Sequence, residues 1–161
     1  MSTKAGQLQP AAVLADSAVI VVARDDDYIF ALLQSSIHDV WARGLGTQLR
    51  EVESGFRYTP TTTFETFPFP RPTATLADAI AKEGAELNRL REGWLNPAGA
   101  SADELEKRTL TNLYNERPAW LRQVHERLNH RLLEAYGLPT DISDEDLLRH
   151  LLDLNLSREA V

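Results

Sequence analysis

The sequence predicts an α+β protein, with a small mixed sheet and one packed helix in residues 11–72 followed by a helical bundle in residues 73–161. Three observations carry this reading. A continuous β-branched run, AVIVVA (Ala18–Ala23), stands directly before a long helical pattern. A threonine- and proline-rich segment, RYTPTTTFETFPFPRP (Arg57–Pro72), then interrupts the chain. From Thr75 onward, apolar residues recur at helical spacing.

In order along the chain, the first ten residues read as a loose tail, and MSTKAGQLQP has no apolar stretch of the kind a signal peptide needs. Ala18–Ala23 fits a strand buried on both faces. Asp25, Asp26 or Asp27 can cap the helix that follows, because a carboxylate accepts orphan N–H groups and suits the N-terminal dipole. That helix is expected from Tyr28 to Leu45, with Ile29, Leu33, Ile37, Val40 and Trp41 as its apolar stripe. Ala31, Ser35, Ser36 and Ala42 flank the stripe and are small enough to admit a close neighbour. Gly44 and Gly46 end it. TQLREVESGFRY then reads as one or two strands turning at Ser54–Gly55. A further short strand is expected over Thr61–Phe67, closed by the prolines at 68, 70 and 72, which cannot donate to a ladder.

The second half reads as helices. Thr75 with Asp78 resembles a capping box, and Leu76, Ile80, Leu87, Leu90 and Trp94 mark the buried face. Ser101 and Glu104 form a full box for a helix ending near Asn115. Pro118 suits the first turn of the next helix, whose face is Trp120, Val124, Leu128 and Leu132, and Gly137 and Pro139 stop it. Ser143 caps the last helix, with three acids in its first turn.

Composition narrows the function. The chain of 161 residues has no cysteine, which excludes disulfides, thiolate metal sites and a cysteine nucleophile. No apolar run is long enough to cross a bilayer, so no membrane partner is expected and the default compartment is the cytoplasm. Net charge is −7, against the basic excess usual in a stand-alone nucleic-acid binder. The acid sits mainly in residues 74–161, whereas residues 40–72 carry Arg43, Arg50, Arg57 and Arg71 against Glu51, Glu53 and Glu65. A small basic face is therefore confined to that stretch.

Catalytic and metal motifs are sparse. His125 and His130 in HERLNH have one residue more than a zinc-binding HExxH, which turns the two rings about 140° apart on a helix. His38-Asp39 are adjacent on a helix and do not face each other; His38 reads as a flank residue bonded to a neighbour. Asp25-Asp26-Asp27 and Asp144-Glu145-Asp146 read as caps rather than cation sites. Trp41, Trp94 and Trp120 read as core. No catalytic, metal or cofactor residue is assigned. RYTPTTTFETFPFPRP could be a strand end joining two substructures, a proline-rich peptide ligand or a substrate-facing surface, and the alternation of its prolines with aromatics after a strand-like run disfavours the peptide ligand.

Two longer stretches are more specific. ARDDDYIFALLQSSIHDVWARGLGTQLREVESGFRYTPTTTFETFPFP, and LTNLYNERPAWLRQVHERLNHRLLEAYGLP with the following ISDEDLLRHLLDLNL, resemble the C-terminal part of adenine-specific DNA methyltransferases of the MmeI-like restriction–modification family. The resemblance implies a target-recognition region followed by a terminal helical segment, working on double-stranded DNA beside an upstream methyltransferase catalytic domain. It implies AdoMet as cofactor of the full-length enzyme, held outside this chain. The family's glycine-containing AdoMet motif and Asn-Pro-Pro-Tyr motif are absent; Asn96-Pro97-Ala98-Gly99 lacks the second proline and the aromatic. The chain is thus expected to be non-catalytic alone. Arg43, Gln48, Arg50, Arg57, Tyr58, Thr61, Thr62 and Thr63 are the candidate DNA contacts, since Arg and Gln offer donors for base edges and threonine hydroxyls suit phosphates. An alternative is an interaction module that docks on a methyltransferase or restriction–modification subunit, which the acidic helical half favours. Within the proline–threonine stretch, Phe67-Pro68-Phe69-Pro70 is expected to be a structural buckle and Arg57–Thr63 its functional front.

Overall fold

The computed structural model describes residue 22, residues 24–48 and residues 56–159. Of the expected strand over Ala18–Ala23 only Val22 is described, and the N-terminal tail, Arg50 and the Ser54–Gly55 turn lie outside these residues; of the strands expected around that turn, the outer ends Thr47–Gln48 and Phe56–Arg57 are described. The described chain is helical. Helices α1 (Asp27–Leu33) and α2 (Ser36–Leu45) are followed by a two-residue antiparallel pairing of β1 (Thr47–Gln48) with β2 (Phe56–Arg57). A π-helical turn (Pro60–Phe64) leads through an extended stretch to α3 (Ala74–Leu95), α4 (Ala102–Lys107), α5 (Leu110–Glu116), α6 (Ala119–Tyr136) and α7 (Asp144–Glu159).

The expected α+β class is therefore corrected to a helical fold. A pairing of Thr47 with Arg57 and Gln48 with Phe56 is too short to make a sheet with a buried face. The strand expected over Thr61–Phe67 is instead the π-helical turn and its exit. Its cause is local: Pro60 occupies the first turn, and the threonines bond backward rather than across a ladder. Thr63 Oγ1 donates to the Thr59 carbonyl at 2.6 Å, and Thr66 Oγ1 to the Thr62 carbonyl at 2.6 Å. These bonds outweigh the β preference of threonine.

Capping also divides helices that were expected to be continuous. Ser35 breaks Tyr28–Leu45, its backbone extended at φ −83° and ψ 157° and its hydroxyl accepting from the His38 N–H. Asp26 caps α1 by accepting from the Ile29 N–H. Thr73, rather than Thr75, caps α3. Thr109 caps a separate α5, so the helix begun by the Ser101–Glu104 box ends at Lys107 instead of near Asn115. Pro118 is the N-cap of α6 rather than its first-turn residue. The Ser101–Glu104 box, the Ser143 cap and the left-handed stop at Gly137 (φ +69°) are formed as expected.

Helix α3 is central, packing on α1 along one side and on α6 along another. Gly84 permits the first contact: a Cβ there would stand 2.5 Å from the Asp27 carbonyl oxygen and 2.8 Å from the Ala31 Cβ. Ala31 thus serves the close approach that its small size suggested. One apolar cluster joins Leu32, Trp41 and Phe67 to Ile80, Leu87, Leu128 and Leu151, taking residues from both sides of position 72. Trp41 is wholly buried, while Trp94 and Trp120 lie half-buried against the cluster.

The extended stretch after the π-helical turn is held by its carbonyls. Asn155 Nδ2 donates to Thr66 O at 2.7 Å, the Tyr136 hydroxyl to Pro68 O at 3.1 Å, and Arg158 to Phe69 O at 2.7 Å. The Tyr28 hydroxyl reaches Pro70 O at 3.5 Å. Prolines remove N–H groups from this segment, so side chains from α1, α6 and α7 satisfy carbonyls that no strand partner could. Phe67 packs edge-on against Trp41, His38 and Phe69, and Phe69 against Phe64.

Candidate nucleic-acid interface

The polar front of the proline–threonine segment is built on the π-helical turn. Thr61 and Thr62 are exposed on it. Thr63 is fully buried and its hydroxyl serves the Thr59 carbonyl. Arg43 lies exposed on the last turn of α2, 2.8 Å from Asp39 four residues earlier, an exposed pair of the kind that contributes little to stability. Gln48 and Arg57 are brought close by the short β1–β2 pairing, one residue out of register with each other. Arg50 is outside the described residues. The candidates therefore gather around the α2 C-terminus, the β1–β2 pairing and the π-helical turn, with Thr63 turned inward as the anchor of that turn.

Tyr58 links this front to the helices. Its hydroxyl lies 2.9 Å from His38 Nε2. His38 is buried under Phe67 rather than placed on the helix flank, and burial pushes its pKa down to about 4, with Asp39 opposing weakly. The ring is thus neutral at pH 7. Burial also raises the Tyr58 pKa, so the pair is uncharged and ties the residue after β2 to α2.

Below the pair runs a groove of about 730 Å³ between the α1–α2 junction and helices α5 and α6. A second tyrosine–histidine pair stands in its wall, with the Tyr114 hydroxyl 2.9 Å from His125 Nε2. Burial lowers the His125 pKa, and the charges of Arg91 and Arg117 lower it further. Arg91 is itself buried; its guanidinium donates to Gln34 Oε1 at 2.7 Å and lies over the rings of Phe30 and Tyr114. Among the described residues no carboxylate pairs with it.

Sequence reasoning did not single out Gln34, Arg91, Tyr114, Arg117 or Asn129, and it read Ser36 only as a small flanking residue. At the Arg117-Pro118 step the proline favours an extended residue before it, yet Arg117 adopts the left-handed conformation, φ +44° and ψ +59°. His130, paired with His125 in the HERLNH string, is exposed, whereas His125 is engaged with Tyr114. Asn96-Pro97-Ala98-Gly99 forms the turn between α3 and α4, with Gly99 at φ +80°. No described helix is long and apolar enough to cross a membrane.

Residues 4–71 match the family model described as MmeI, target recognition domain. Over that stretch, less than half of its length, the chain resembles an MmeI-like target-recognition region of the restriction–modification type. Among solved structures, it is similar to a chain from the structure of the Type IIL restriction–modification enzyme MmeI in complex with DNA. That likeness has a TM-score of 0.67 at 21% identity and covers 85% of this chain but 17% of that one. At that identity it establishes a shared fold, and it continues through the helices beyond the family match. No curated protein matches the chain.

Proposed function

We propose that this chain is the DNA target-recognition part, with its helical buttress, of a restriction–modification enzyme that methylates adenine. The carrying observation is the match of residues 4–71 to the MmeI target recognition domain, supported by a fold likeness to an enzyme solved in complex with DNA. In this reading Arg43, Thr61, Thr62 and the β1–β2 residues Gln48 and Arg57 face duplex DNA, with Arg50 beside them in sequence. The helices hold that front in place through Tyr58–His38 and through the carbonyls of residues 66–70.

Methyl transfer belongs to an upstream catalytic domain, which would hold AdoMet; the residues here carry neither motif for it and take no part in that step. The cytoplasm, where its DNA substrate lies, is the compartment this role requires. The chain's net charge of −7 predicts weak DNA affinity for the isolated chain, falling steeply with salt. In the full-length enzyme, fluorescence anisotropy with a labelled duplex should show that Arg43→Ala combined with Arg57→Ala weakens binding and lowers the salt slope by about 2. The same double variant should unfold at nearly the wild-type temperature. Methylation by this chain alone would refute the reading, as would unchanged DNA affinity in the double variant.

A further inference from the structure

The groove between the α1–α2 junction and α5–α6 is unusually rich in donors. Gln34 Oε1 accepts from Arg91 at 2.7 Å, and Asn129 Oδ1 accepts from the Ser36 N–H at 3.1 Å. Both partners can only donate, so the two amide oxygens are fixed and the two NH₂ groups remain as the outward donors. Neither NH₂ group makes another hydrogen bond among the described residues. Arg117 joins them at the groove wall; it is exposed and has no side-chain partner among the described residues. The ten-residue helix α2 points its N-terminal dipole into the same space.

A second, independent mark comes from His38. Its ring lines the groove at 4% exposure, and Nδ1 is buried with no hydrogen-bond partner, while Nε2 is taken by Tyr58. Each acid at the rim has an exposed arginine beside it. Asp39 lies 2.8 Å from Arg43, and Glu126 lies 3.9 Å from Arg122. Buried Arg91 adds an uncompensated charge behind Gln34. Leu33, Ala42 and Leu121 complete the lining with an apolar wall.

We propose that this groove binds a sugar-linked phosphate. The phosphate oxygens would accept from the amide groups of Gln34 and Asn129 and from Arg117, with the sugar against Leu33 and Leu121. Phosphate fits because it only accepts, and the groove offers donors whose own acceptors are spent. If the chain is a target-recognition region, the phosphate belongs to the DNA backbone, and the groove is a positioning contact apart from the Arg43–Thr63 front. A free nucleotide carries the same group.

The test uses the full chain and substitutions chosen to keep its fold. Asn129→Asp retains the acceptor for Ser36 while replacing the donor with an anionic oxygen. Arg117→Gly removes the guanidinium at a left-handed position that glycine favours. Arg89→Ala removes the same charge from exposed Arg89, which lies outside the groove lining. On a labelled duplex at low salt, N129D and R117G should each weaken binding about three- to tenfold, whereas R89A stays within about twofold. In parallel, a dithymidine phosphodiester, thymidine monophosphate and inorganic phosphate are titrated while the side-chain amide signals of Gln34 and Asn129 are followed by NMR. Movement of those signals with the diester, together with the two losses, supports the site and assigns it to DNA. Duplex binding that neither variant changes, with immobile amides, overturns the groove but leaves the target-recognition reading intact. Amides that move only with thymidine monophosphate, without duplex binding, keep the phosphate site and assign it to a free nucleotide instead of the DNA backbone. No movement with any of the three ligands and no variant effect overturns the proposal outright.

Discussion

His38 shows how one side chain can carry both structure and pH sensitivity. It sits beneath Phe67, with Nε2 on the Tyr58 hydroxyl and Nδ1 without a partner, and its pKa is pushed down to about 4 from an ordinary 6.5. The unfolded chain therefore binds a proton that the folded chain refuses between those two values. Stability is unaffected by this group above about pH 6.5 and declines as pH falls toward 4, by roughly 3 kcal/mol over the whole window. Urea unfolding at pH 7 and pH 4.5 should show a loss larger in wild type than in His38→Gln, with the carboxylates common to both cancelling. The burial of His38 was not readable from QSSIHDVW, because it follows from the break at Ser35, which re-phases α2, and from Phe67, which arrives from 29 positions along the chain.

Among the elements, those specified by short-range chemistry were legible and those specified by competition were not. The Ser101–Glu104 box, the Ser143 cap and the Gly137 stop each depend on residues within one turn, and each forms as the sequence implies. PTTTF misled because β-branched threonine favours strands wherever a ladder exists, yet here Thr63 and Thr66 find carbonyls four residues back. The buckle drawn at Phe67-Pro68-Phe69-Pro70 is present, with Phe67 as its most buried ring at 4% exposure and Phe69 only half-buried. Phe67→Ala should accordingly cost about 3–5 kcal/mol in urea unfolding, and Phe69→Ala clearly less. Equal losses would mean that the edge-on stack from Trp41 through Phe67 to Phe69 behaves as a single unit.

At the scale of the whole molecule, the division of the chain at position 72 is one of sequence grammar, while the core ignores it. Leu32, Trp41 and Phe67 share a cluster with Leu87, Leu128 and Leu151, and α1 packs more extensively on α3 than on α2. Thermal unfolding should therefore give a single transition by both circular dichroism and tryptophan fluorescence. Neither residues 1–72 nor residues 73–161 expressed alone should show a cooperative transition, since each would expose its share of the cluster. The groove was invisible to sequence reading for the same reason: Ser36 and Asn129 are 93 residues apart, and only the packing of α1, α3 and α6 brings them together.

The carbonyl bonds of the stretch after the π-helical turn separate what must stay constant from what is free to drift. Asn155, Tyr136 and Arg158 grip main-chain oxygens, which every amino acid possesses, rather than particular side chains of residues 66–69. Substitutions at exposed Thr61 and Thr62 can thus alter what the surface touches without loosening the grip. A change at Asn155 or Arg158, on the last helix, would shift that whole surface while leaving its chemistry untouched. The molecule holds its front from α6 and α7 and carries the exposed side chains of that front in another segment, so the two can change on separate schedules.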